Sequence, residues 1–146
     1  MKNNESTCFS NIGVSHGIWG EMQAADFLRR KGYELIDCNS RPVDSDQRLE
    51  IDIVAWEPST ETMVFVEVKQ HKSISRYARR LRSINRDKKR NLRRACNTWR
   101  RINKWFGAYR FDVIEIYGVP EGGRPFIDHI TDVELFAKHG RFVKWN

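Results

Sequence analysis

Residues 63–70 read M-V-F-V-E-V-K-Q, which sets two opposite charges two positions apart on one face of an apolar strand. Val64, Val66 and Val68 line one face, and Met63, Phe65, Glu67 and Lys69 line the other. Upstream, L-E-I-D-I-V-A-W places Asp52 in a second apolar strand. Charges on buried strands are costly unless something compensates them. A divalent cation would compensate the acids and leave the lysine for chemistry. The intervening E-P-S-T-E suits a tight turn, and a turn centred on Ser59 and Thr60 sets Asp52 directly opposite Glu67. Directly opposed residues of an antiparallel pair have Cβ atoms roughly 4.5–5.5 Å apart. Two carboxylates that close repel unless one is protonated or a cation lies between them. Mg²⁺ binds through one or two carboxylates plus waters and phosphate oxygens, so Asp52 and Glu67 suffice as ligands, with Mn²⁺ as a substitute. A one-residue slip of register would turn Asp52 to the other face. The Lys69 ammonium can hold an attacking water or stabilise charge on a phosphate. Taken alone, an E-x-K pair on a strand is more often a surface ion pair. Its apolar setting, and a polycation that follows it, argue for chemistry.

The elements that must position these residues follow from periodicity. Gly17 to Lys31 is helical, with Ile18, Met22, Ala25 and Leu28 forming an apolar stripe and Glu21 inside it. Gly32 supplies its C-cap. Tyr33 to Cys38 reads as a strand, Asn39 to Arg48 as a polar loop, and Leu49 to Trp56 and Thr62 to Gln70 as the two strands of the hairpin. His71 to Ile84 reads as a basic loop or short helix. Arg86 to Phe106 is the clearest helix, with Leu92, Ala95, Cys96, Trp99 and Ile102 on its apolar side. Tyr109 to Tyr117 is a further strand, Pro120 to Arg124 a turn, Phe126 to Ile130 a short edge strand and Asp132 to Ala137 a terminal turn of helix. Residues 1–14 read as a flexible tail and 15–146 as one domain. This order predicts an α/β or α+β architecture built on one mixed sheet.

Composition bounds the function. Hydrophobic residues at 40% and aromatics at 12% specify a folded chain rather than a disordered one. No run of about 18 apolar residues spans a membrane, and M-K-N-N-E-S-T leads into no apolar signal segment. Cys8, Cys38 and Cys96 are odd in number and widely spaced, which fits reduced thiols in the cytoplasm. The net charge of +7 is unevenly spread: residues 69–104 hold 15 Lys/Arg against Asp87 alone, a net of +14, and the remainder is −7. Such a segment points to a polyanion, with nucleic acid ahead of an anionic membrane surface. Arg76, Arg79, Arg80 and Arg82 can clamp a phosphate backbone, and Lys88 and Arg90 at the start of the long helix can contact phosphates.

Several of these residues carry a resemblance. G-I-W-G-E at 17–21, A-A-D-F-L and K-G-Y after it, N-S-R at 39–41, E-I-D-I-V-A at 50–55, F-V-E-V-K at 65–69, Lys88 with Leu92, and R-F-D-V at 110–113 stand in the order found in the YraN-like predicted endonucleases. That family belongs to the wider PD-(D/E)XK nuclease superfamily. The resemblance implies a restriction-endonuclease-like αβββαβ core, a mixed sheet flanked by helices. It implies that Asp52 and Glu67 bind the metal, with the Val68 carbonyl as an extra ligand. It also implies that Lys69 assists the water nucleophile and that Glu21 is the helix carboxylate of the site. The chain departs from the family in having Leu49 where glycine is usual, a longer loop from Arg41 to Glu50, and Gln70-His71 where an arginine often stands second after the lysine.

The expectation is therefore a Mg²⁺-dependent endonuclease acting on DNA, with Glu21, Asp52, Glu67 and Lys69 as the catalytic set. Branched-DNA cleavage would favour a homodimer, but no interface is legible. The competing expectation is a nucleic-acid-binding module that keeps the fold without turnover, or an accessory protein in which Glu67 and Lys69 are a buried ion pair. Glu50 shares a face with Asp52 and can join the metal site, although a solvated or loop-facing role is the favoured expectation. Asp112 is expected to pair structurally with Arg110, and Trp99 and Trp105 to sit in the core. The histidines His16, His71, His129 and His139 share no ligand spacing, which argues against zinc.

Overall fold

The computed structural model describes residue 8 and residues 16–73 and 85–136. The order is α1 (His16–Arg30), β1 (Glu34–Ser40), β2 (Ile51–Glu57), β3 (Thr62–His71), α2 (Arg86–Ile102), β4 (Tyr109–Tyr117), a 3₁₀ turn (Pro120–Gly122) and β5 (Phe126–Ile130). The five strands form one sheet in sequential order. The β3–β4 pair is parallel and the other three pairs are antiparallel, which makes the sheet mixed. The αβββαβ order expected from the residues is thus the order observed, with β5 added at an edge. The protein has an α/β fold consistent with a restriction-endonuclease-like core.

β3 is apolar on both sides because each face of the sheet is covered by a helix. Val64 and Val66 pack with Ala24, Ala25 and Leu28 of α1 and with Ile53, Ala55, Ile114 and Ile116. Met63 and Phe65 pack with Leu92, Ala95, Cys96 and Trp99 of α2 and with Val54, Phe111 and Val113. Phe65 is fully buried and meets Trp99 edge-on, ring centroids 5.5 Å apart. Full burial of such a side chain contributes about 1.5–3 kcal/mol.

Local chemistry sets the helix ends. Gly32 takes φ +90°, and the amides of Tyr33 and Gly32 donate to the carbonyls of Leu28 and Arg29, a Schellman closure of α1. The buried face of α1 is Trp19, Ala24, Ala25 and Leu28; Ile18 and Met22, expected in the stripe, are only partly buried. Asn85 caps α2, its side chain accepting from the Lys88 amide at 2.8 Å. α2 stops four residues short of the expected Phe106. Asn103 folds its side-chain amide back onto the Trp99 carbonyl at 2.9 Å, and Lys104 adopts φ +51°. Ile102, expected on the apolar stripe, is therefore exposed at the helix end. Trp99 lies in the core, and Trp105, past the helix, is half-buried against Trp56.

Three further expectations need correction. The first strand runs on to Ser40, and its partner begins at Ile51 rather than Leu49, although Leu49 is fully buried at the end of the loop. Residues 132–136 carry no helix, and 137 lies outside the described residues. Cys8 and Cys38 form a disulfide with Cα atoms 5.7 Å apart, leaving only Cys96 of the three as a free, buried thiol. With the partners separated by 30 positions, sequence spacing gave no hint of the pairing. The remainder of the 1–14 segment and the arginines at 76, 79, 80 and 82 lie outside the described residues.

Candidate metal centre

The hairpin register decides the site. Ile53 opposes Val66, Val54 opposes Phe65, and the same offset holds as far as Glu57 opposite Thr62. One step further along that offset, Asp52 comes across from Glu67, as the turn geometry requires. The Val68 amide donates to Asp52 Oδ2 at 2.8 Å, which fixes the carboxylate against β3. Asn39 lies between the Cys38–Ile53 and Ser40–Ile51 pairs and so comes level with Asp52 on the other side. It takes φ +50°, tolerable for asparagine, and its side chain hydrogen-bonds Glu21.

α1 delivers Glu21 through a close approach. A Cβ added to Gly20 would meet Gln70 Oε1 at 2.6 Å, so the helix lies tight against the end of β3. Glu21, Glu50 and Asp52 each bring a carboxylate oxygen into one group, all within 4.8 Å of one another and all partly buried. Glu50 is the residue that sequence reasoning ranked too low. It does face the loop, where Arg41 holds its Oε2 from Nε at 3.1 Å and Nη2 at 3.0 Å, and it also joins the cluster. Its place beside Asp52 on the same face of the strand was the available signal.

Glu67 is nearly fully buried and behaves differently. Its Oε1 lies 3.5 Å from Lys69 Nζ and 3.0 Å from Lys88 Nζ. Lys88 thus reaches back from the first turn of α2 into the acidic site, while Arg90 on the same helix is exposed. Glu115 is a fully buried acid that the strand pattern left unremarked. It lies level with Lys69 across the parallel β3–β4 pair and accepts from the Tyr117 hydroxyl.

The electrostatics follow from crowding. Burial, then the Glu67 charge, pushes the Asp52 carboxyl up to about 8, with the Val68 amide opposing and Glu21 adding. Glu21 is raised by burial first and by Glu50 and Glu67 as well, against the Asn39 hydrogen bond. For Lys88, burial favours the neutral amine, but Glu67, Asp52 and Glu50 more than offset it, so its pKa rises. Acids pushed upward together mark a place where added positive charge is favourable. An all-oxygen, histidine-free donor set suits a hard divalent cation such as Mg²⁺ or Mn²⁺. The group Glu21, Glu50 and Asp52 can hold such an ion.

The fold and the site together define a mixed-sheet α/β protein with a carboxylate cluster at a hairpin, braced by lysines. Among the described residues no helix is long and apolar enough to cross a membrane. The chain belongs to uncharacterised protein family UPF0102, whose model matches residues 20–116 and so takes in Glu21, Glu50, Asp52, Glu67, Lys69 and Lys88. It is similar to a UPF0102 protein of Renibacterium salmoninarum, 35% identical over 118 residues covering 80% of this chain and 93% of that one. A UPF0102 protein of Pelobacter propionicus is 36% identical over 117 residues, 80% of this chain and 79% of the relative. One of Desulfosudis oleivorans is 38% identical over 110 residues, 74% and 83% respectively.

Proposed function

We propose that this protein is a divalent-metal-dependent nuclease that hydrolyses phosphodiester bonds of DNA, as an endonuclease. The observation that carries the reading is the convergence of Glu21, Glu50 and Asp52 beside Glu67, Lys69 and Lys88. Carboxylates and ammonium groups share one pocket of charge, next to a helix whose outer residues are basic. Asp52, Glu21 and Glu50 would hold Mg²⁺ or Mn²⁺, with Glu67 and the Val68 carbonyl close by. The ion, when bound, supplies Lewis acidity and an acidified water. Asp52, fixed by the Val68 amide, orients the site. Lys69, anchored on Glu67, sits where it can hold a water or stabilise charge on a phosphate. Lys88 and Arg90 of α2 would engage the backbone, together with the arginines at 76, 79 and 80.

Removal of Asp52 tests this reading. Purified protein with Mg²⁺ or Mn²⁺ should cleave one or more of linear, supercoiled and branched DNA, and Asp52→Ala should lose at least a hundredfold of that rate. Equal rates for wild type and Asp52→Ala would defeat it. One observation favours a second reading, a nucleic-acid-binding module without turnover: Glu67 already holds two lysines. That module would bind DNA with a steep salt dependence, and neither Mg²⁺ nor Mn²⁺ would raise its thermal stability.

A further inference from the structure

Glu67 Oε1 accepts two ammonium groups, Lys69 at 3.5 Å and Lys88 at 3.0 Å. The two lysines are not equivalent. Lys69 is fixed on the same strand two residues on, and its side chain is 22% exposed. Lys88 comes from another element, and its side chain is 46% exposed. An ammonium on a flexible four-carbon stem, half in water, can swing between the acid and solvent with its helix unmoved. The Asn85 cap holds the Lys88 backbone in place during such a swing. The cluster of Glu21, Glu50 and Asp52 forms without Glu67, whose Oε1 is ion-paired to lysine.

We propose that Lys88 couples nucleic-acid binding to metal binding by moving between Glu67 and a backbone phosphate. The inference rests on the nuclease reading, because it takes the acidic cluster as the cation site. Without a polyanion, Lys88 neutralises Glu67 and places a positive charge beside the position a divalent cation would take. A phosphate arriving along α2 meets Arg90 and then Lys88, and offers the ammonium a second anionic partner. When Lys88 turns to it, Glu67 keeps only Lys69 of its two ammonium partners, and the site becomes more negative by one charge. The cation then binds more tightly, with Glu67 available to it. Linkage makes the effect reciprocal: the cation must tighten nucleic acid by the same factor. Lys88 is in this sense a positioning residue, acting through Glu67. The consequence is a centre that loads fully only on its substrate.

The test reads affinity rather than turnover. Mn²⁺ is titrated calorimetrically into wild type and Lys88→Met, each alone and with a cleavage-resistant phosphorothioate oligonucleotide. Wild type should bind Mn²⁺ about tenfold more tightly with the oligonucleotide, within the usual range of such couplings. Lys88→Met alone should already bind it about tenfold more tightly than wild type alone, and should gain less than twofold from the oligonucleotide. An uncharged methylphosphonate oligonucleotide should produce no coupling in either protein. If both ligands bind but the coupling is absent, or is the same in both proteins, the inference is overturned and the nuclease reading stands. If wild type binds neither, both are overturned. Should Lys88→Met prove unfolded, Lys88→Gln, which keeps the stem and drops the charge, gives the same comparison.

Discussion

Asp52, partly buried, and Asp112, fully buried, are aspartates on strands of one sheet, and they face opposite ways with opposite results. Asp112, fully buried, belongs to the α1 side and is saturated with donors. Arg110 Nε and Nη2 reach it at 2.9 and 3.1 Å, His129 Nε2 at 2.8 Å and the Asp132 amide at 2.9 Å. Arg110 continues to Glu57 and to the Tyr33 hydroxyl, and Lys31 caps His129 Nδ1 at 3.1 Å. Burial alone would raise the Asp112 carboxyl, yet His129, Arg110 and the Asp132 amide hold it below the usual range. Asp52, on the α2 side, has one amide donor and three carboxylate neighbours, and it goes the other way. The same strand environment makes a structural brace where lone pairs meet donors, and a group that could hold a cation where they meet one another. From the sequence the first is expected to be an ion pair, which it is, and the second is proposed as a metal ligand.

The largest effect should come from breaking the brace. Asp112→Ala removes the acceptor that Arg110 and His129 share, leaving Arg110 only Glu57 and the Tyr33 hydroxyl, and loss of one partner of a buried pair costs about 3–5 kcal/mol. Asp52→Asn removes a repelled charge and keeps an acceptor for the Val68 amide, so in chelator-treated protein it should be neutral or stabilising. Urea denaturation of the two variants in EDTA measures the contrast. Equal losses would mean that Asp52 is as structural as Asp112.

A pH series sharpens the contrast through its sign. Asp52 binds its proton more tightly folded than unfolded, so its contribution to stability is present in acid and is lost as pH rises from 3.8 to about 8. Metal-free wild type should therefore weaken relative to Asp52→Asn across that window. Asp112 is the reverse case: its folded carboxyl is depressed, so its contribution is present above the ordinary aspartate range and is lost as pH falls through the folded value. The cost of Asp112→Ala should shrink in acid. Adding Mn²⁺ at pH 8 to about a hundred times its dissociation constant should restore about 2.7 kcal/mol to wild type. A wild-type to Asp52→Asn difference that stays flat with pH would remove the crowding argument.

What could be read from the chain was whatever local pattern encodes. The hairpin register followed from a turn centred on Ser59 and Thr60 with strands matched around it, and with it came Asp52 opposite Glu67. Strand alternation and helical stripes gave the αβββαβ order. What escaped reading depends on docking or on single caps. Lys88 meets Glu67 only because α2 lies across β3, and no spacing between residues 67 and 88 encodes that crossing. α2 ends early because the Asn103 side chain turns back on the helix, while the apolar pattern seemed to run on through Ile102. Glu50 could be assigned to Asp52's face and weighed as a member of the cluster, but the choice rests on where α1 brings Glu21.

The smallest effect should fall on Arg41. Its pair with Glu50 is exposed, with side chains 52% and 29% accessible, and such pairs contribute about 0.2–1 kcal/mol. Arg41→Ala should therefore leave the urea midpoint almost unchanged. The affinity for Mn²⁺ is the more informative readout. The guanidinium occupies Glu50 Oε2 through two nitrogens and sets a positive charge next to the cluster. Its removal should free that oxygen and tighten Mn²⁺ a few-fold. A weaker affinity would reverse the assignment, because it would mean that Arg41 aims Glu50 at the ion instead of competing for it. Glu50 would then resemble Asp112, a carboxylate placed by its donors, and the boundary between brace and cation site would run through Glu50.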